Sequence, residues 1–162
     1  MAFVKNPETV VTLDGKVSGP ITIIWQGNGH AFMDTRSEYG KPEQRITFRG
    51  TEYRVSIHVI RNESGEYVVN DPSSSYNPSI RRGFQDDAPR TYAEAITAAC
   101  LAKLNETASE SPDLIRQGEY ASAMTDLDRA QGDVDKLRAE LSEATAKLGK
   151  ARMRVSRYEP KA

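Results

Sequence analysis

The chain has 162 residues, enough for one compact domain with an extension or for two small units. Its 22 basic and 23 acidic residues nearly cancel, which excludes bulk charge as an argument for nucleic acid or an anionic membrane. The single Cys100 excludes an intramolecular disulfide, and no apolar run approaches the roughly 18 residues of a membrane span.

The opening MAFVKNPETVV has neither the basic region nor the apolar core of a signal peptide, so a soluble chain in a reducing, cytoplasmic compartment is expected. The first clear element is a hairpin around Trp25-Gln-Gly-Asn-Gly-His30. Its glycines precede His30-Ala-Phe-Met-Asp-Thr35, which has no third glycine and no helical period, so a phosphate-binding loop is not the reading. Asn28-Gly29 is instead the favoured pair for a two-residue type I′ turn, because both tolerate positive φ. That turn sets Trp25 opposite Phe32 and Ile24 opposite Met33. No cofactor is expected.

In Arg45–Ser56, Gly50-Thr51 fits a type II′ turn, with Phe48 facing Tyr53, Ile46 facing Val55 and Arg49 facing Glu52. Ile57 and Val59 continue the apolar face. Asn62-Glu-Ser-Gly65 makes the next turn, placing Arg61 against Glu66 and Val59 against Val68. The three strands, about 45–49, 52–61 and 66–70, form a meander, and Asp71–Ser79 is a loop rich in turn formers.

Near residue 88 the composition turns to Ala, Glu, Lys, Arg and Leu. Residues 1–87 therefore read as an antiparallel β domain and 88–162 as a helical hairpin and coiled-coil region, an α+β fold. Thr91-Tyr-Ala-Glu94 matches a capping box for a helix over about 91–106. Ser111-Pro112 supplies an N-cap and first-turn proline for a second helix, which meets no further proline until Pro160. It runs about 47 residues, roughly 70 Å.

This long helix carries a strict seven-residue repeat. Tyr120, Leu127, Val134, Leu141, Leu148 and Val155 share one position, and Ala123, Ala130, Leu137, Ala144, Ala151 and Tyr158 follow three residues after each. These are the a and d positions of a coiled coil. Gly118, Gly132 and Gly149 fall off the seam, each costing only helix propensity. The acids Asp113, Glu119, Asp126, Asp128, Asp133 and Asp135 dominate the first half, and Lys136, Arg138, Lys147, Lys150, Arg152, Arg154 and Arg157 the second. An antiparallel pair places Glu119 near Arg154 and Asp126 near Lys147 of its mate. The competing readings are a charge gradient that only complements the helix dipole, and pairing within the chain to the preceding helix.

The usual carriers of chemistry do not converge. His30 and His58 have no HxH or HExxH spacing, one cysteine cannot build a zinc site from paired cysteines, and no G-x-S-x-G elbow exists, so no catalytic or metal site is expected. Cys100 reads as a small core residue, and Asp86-Asp87 as a pair approaching a helix. Arg45, Arg49, Arg54, Arg61, Arg81 and Arg82, with Phe84 and Tyr76, form a candidate anion or nucleic-acid surface. Glu43, Glu52, Glu63 and Glu66 lie among them, which favours a charge-balanced sheet instead.

The runs Gly50-Thr-Glu-Tyr-Arg-Val-Ser-Ile-His-Val59 and Asp87-Ala-Pro-Arg-Thr-Tyr-Ala-Glu-Ala-Ile96, followed by a long Ala/Glu/Arg helix, resemble the small accessory proteins of actinobacteriophages over about residues 46–158. The resemblance implies a phage gene product in a bacterial cytoplasm and carries no activity or site residues. The expected function is non-catalytic interaction with a host or phage protein, with a homo-oligomer formed by antiparallel helix pairing. The alternatives are an anion- or nucleic-acid-binding module and a virion assembly protein.

Overall fold

The structure, a computed structural model, describes residues 4–36, 43–83 and 86–160. The fold is α+β, an eight-stranded antiparallel sheet followed by two helices. The strands are β1 (Glu8–Asp14), β2 (Val17–Trp25), β3 (His30–Asp34), β4 (Ile46–Phe48), β5 (Thr51–Arg61), β6 (Tyr67–Val69), β7 (Ser79–Arg82) and β8 (Asp86–Asp87). The helices are α1 (Arg90–Glu110) and α2 (Pro112–Tyr158), the latter 47 residues long.

Two long strands organise the sheet. β3 and β4 lie end to end between β2 and β5, each pairing with both, while β1 takes the outer edge of β2. β6 and β7 share the remaining edge of β5, and β8 closes on β7. Side chains alternate along a strand, so Tyr53, Val55, Ile57 and Val59 of β5 all enter the core, as do Ile21, Ile23 and Trp25 of β2. α1 lies against β1, β2, β6 and β7 and buries Ile96, Cys100 and Leu104 into the same core. Asn105 fixes its docking. The side-chain amide accepts from Tyr67 N–H at 2.7 Å and donates to Tyr67 carbonyl at 3.1 Å, imitating a neighbouring strand.

All three expected hairpins form, and each register differs from the expectation. At 27–30, Asn28 and Gly29 have φ of 59° and 74°, and His30 N–H donates to Gly27 carbonyl at 3.2 Å, as a type I′ turn requires. Gln26 N–H also reaches His30 carbonyl at 3.0 Å, so two residues face one and a bulge shifts the register by one. Trp25 therefore faces Ala31, and Ile24 faces Phe32. In the second hairpin the turn is Arg49-Gly50, both at positive φ, and Ile46 faces Tyr53. It is type I′ rather than II′, a two-residue shift that leaves every side chain on its expected face. At 62–65, Gly65 at φ 85° adds one residue to the loop, so Arg61 faces Tyr67 and Val59 faces Val69. Tyr67 is buried as a result, and Val68 turns outward.

The helix starts also differ in part. α1 begins at Arg90, and no side chain caps it. Pro89 enters from an extended conformation and its carbonyl takes the N–H groups of Tyr92 and Ala93, both at 2.9 Å. Glu94 pairs with Arg90 at 2.9 Å instead of closing a capping box on Thr91. α2 begins at Pro112 as expected, with Ser111 carbonyl accepting from Leu114 at 3.1 Å.

The chain divides into two compact units, Met1–Ala123 and Met124–Ala162. The first holds the sheet, α1 and the opening turns of α2, with Leu114 and Ile115 against the core. The second is the rest of α2, carrying the heptads. Gly118 is a packing residue and not merely a weak helix former. A Cβ there would meet Trp25 backbone carbon at 2.8 Å and oxygen at 2.9 Å, whereas Gly132 has nothing within 4 Å. Gly118→Ala should therefore destabilise the fold by about 1–3 kcal/mol despite alanine's better helix propensity. Gly132→Ala should stabilise α2 by up to about 1 kcal/mol. Chemical denaturation of the two variants checks the opposite signs.

Candidate functional site

The glycine loop that invited a phosphate reading does hold an anion, and the anion is the protein's own. Glu119 Oε2 accepts from Asn28 N–H at 2.9 Å and Oε1 from Gly29 N–H at 3.2 Å. Two adjacent positive-φ residues aim their amides at one point, and a carboxylate fills it. This contact needs the helix to come very close. Gly27 is buried against Ser122, whose Cβ a side chain at Gly27 would overlap, and Gly118 lies on the Trp25 backbone. Neither the close approach nor the role of Glu119 has a sequence signal, because the partners are some 90 residues apart.

Within the first unit the docking sets which side of α2 faces the sheet. Gly118, Ala121 and Ser122 form the side of α2 turned to the hairpin. At about 100° per residue, Tyr120 and Ala123 lie roughly 160° from that side. Tyr120 and Ala123 are exposed accordingly, while Gly118 and Ala121 are buried. The seam continues along the second unit as Leu127, Val134, Leu137, Leu141, Leu148, Val155 and Tyr158, all exposed, with Leu141 at 69%. α1 spends its own apolar face on the sheet. These exposed side chains keep a strict heptad of large and small apolar residues.

Around the seam, charges pair along the helix. Asp126 meets Arg129 at 3.2 Å, Lys147 meets Glu143 at 2.6 Å and Lys136 meets Glu140 at 4.0 Å, all exposed and each worth little on its own. Glu119, expected to meet Arg154 of a mate, is engaged by the hairpin amides within its own chain.

The sheet arginines are distributed and already engaged. Glu43 sits between Arg45 at 2.6 Å and Arg54 at 2.9 Å. The hydrogen bond from Arg45 foremost, with the charges of Arg45 and Arg54, holds the Glu43 carboxyl below its usual range. Arg49 stacks on Phe48 and Tyr92, 5.5 and 5.1 Å from the ring centres, and donates to Tyr92 hydroxyl at 3.3 Å. Arg61 lies over the Tyr67 ring at 5.9 Å. Arg81 pairs with Asp87 at 3.2 Å, so Asp86-Asp87 serves a strand rather than a helix approach. Arg82 is exposed on β7, Tyr76 is exposed in the preceding loop, and Phe84 lies outside the described residues. Arg54 and Arg81 are direct cross-strand neighbours, and Arg36 joins them around a cavity of about 290 Å³.

His30 and His58 meet on the sheet face opposite the core, ring centres 5.1 Å apart, with the Phe32 ring 6.1 Å from His58. No group of three or more metal-binding side chains exists among the described residues. Cys100 is buried in the core, and burial pushes its thiol up to about 12, leaving it unreactive at neutral pH.

Burial, with the nearby His30 ring, lowers the His58 pKa. The unfolded chain, near the ordinary value of about 6.5, binds more protons between the two values. This contribution to stability is present in full above about pH 6.5 and is lost as pH falls through the folded value. The Tm should therefore drop between about pH 7.5 and 5.5, and His58→Gln should flatten that slope, as a pH series of thermal melts would show.

Comparison with protein-family models, curated proteins and solved structures gives no match to this chain.

Proposed function

We propose that the protein is a non-catalytic interaction protein that self-associates through the α2 seam. One observation carries this reading. In the first unit α2 turns Gly118 and Ala121 inward, with Gly118 on the β2–β3 hairpin, and leaves Tyr120 and Ala123 exposed, while large apolar residues continue at the same heptad spacing, all exposed, along the second unit. Contiguous apolar surface of that kind is uncommon on monomers. The acid-to-base gradient along α2 supports a partner helix of the reverse gradient, which a second copy running antiparallel provides.

A second reading rests on Arg36, Arg54 and Arg81 around their shared cavity, which would suit an anion or nucleic-acid phosphate. It is weaker, because Arg36 binds Asp34, Arg54 binds Glu43 and Arg81 binds Asp87.

Light scattering at tens of micromolar should give an oligomer mass for the wild type. Leu141→Asp should yield a monomer with an intact sheet, since it places an unpaired charge in the seam at a cost of about 3–5 kcal/mol. A wild-type monomer mass at that concentration contradicts the proposal. A salt-sensitive gel shift that persists in the Leu141→Asp variant would favour the second reading.

A further inference from the structure

We infer that the seam takes a second copy of this chain, antiparallel and centred near residue 139. This rests on the self-association proposed above and adds its orientation and register. The distribution of size along α2 selects the orientation, and charge together with the Glu119 contact selects the register.

One seam position is occupied by large residues, and the other by alanine at 123, 130, 144 and 151. A parallel, in-register pair stacks each position on its own copy, so crowded Leu127 layers alternate with Ala130 layers that leave gaps. An antiparallel pair sets one position against the other. Centred at 139, it puts Leu127 against Ala151 of the mate, Val134 against Ala144 and Leu148 against Ala130. Each of those layers then holds one large and one small side chain, which packs evenly and brings the helices close.

In this register Asp126 flanks Arg154 of the mate and Asp133 flanks Lys147, and two-fold symmetry repeats both contacts. Glu140 meets its own copy once, with Lys136 of the same helix 4.0 Å away, and Arg138 meets its own copy once on the other flank. The neighbouring register, centred between 135 and 136, gains Asp126 with Lys147 but opposes Asp133 to Glu140 twice. It also requires Glu119 for Arg154, and Glu119 is held by the Asn28 and Gly29 amides. Like-charge contacts number two in each register, so the engagement of Glu119 by the hairpin amides decides for the one centred at 139.

Double electron–electron resonance measures the arrangement. Nitroxide labels are placed singly, on Asp128→Cys or on Lys150→Cys, both at exposed sites off the seam. Cys100 has no solvent exposure, so labelling of the folded chain goes to the introduced cysteine. Both positions lie eleven residues from 139, so the two variants should give equal axial separations of about 33 Å. Separations of about 22 Å for position 128 and about 44 Å for position 150 would place the centre between 135 and 136 and overturn the register. Short distances at both positions, under about 20 Å, would indicate parallel helices and overturn the orientation as well. Absence of any inter-label coupling, together with a monomer mass, would overturn the self-association itself.

Discussion

The arrangement depends on one close approach, between the β2–β3 hairpin and the opening turns of α2. Two residues without side chains, Gly27 and Gly118, let a helix lie directly on the backbone of Trp25. Trp25 is itself immobilised, fully buried, with its indole N–H donating to Thr9 hydroxyl at 3.1 Å and its ring edge-on to Tyr67. Glu119 then adds two charge-assisted hydrogen bonds to the turn amides. Contact at this distance fixes the rotation of α2 about its own axis. Within the first unit that rotation turns Gly118 and Ala121 inward and leaves Tyr120 and Ala123 exposed.

Many of the groups that suggest binding chemistry are engaged within the fold. A glycine loop with two converging amides is satisfied by Glu119, and most of the sheet arginines are matched by Glu43, Asp87 or aromatic rings. Groups that attract ligands when unpaired serve here to join one part of the fold to another. The apolar seam is the exception, its large side chains exposed along the second unit.

Local patterns in the sequence were informative, and distant ones were silent. Alternation in Tyr53, Val55, Ile57 and Val59 revealed their inward face, and the proline-free run from Pro112 revealed the long helix, since both are short-range periodicities. The turn residues located all three hairpins. The registers were less legible, because bulges at Gln26 and Gly65 add one residue without any change in the hydrophobic pattern. Arg49 at positive φ is a further case, as its strain is offset by stacking on Tyr92, a residue 43 positions away. Gly118 looked like a flaw in a helix for the same reason: its value lies in a backbone far along the chain. The heptad spacing is a property of α2 alone, and the structure adds that its large side chains are exposed.

The central claim is the proposed division of α2, in which the opening turns hold the hairpin and the heptads pair with a second chain. Hydrogen–deuterium exchange followed across a dilution series tests this most directly. The account predicts that amides in 124–158 lose protection as the protein is diluted, while those of 26–31 and 114–122 keep theirs at every concentration. Loss of protection in both groups together, or concentration-independent exchange throughout α2, would contradict it.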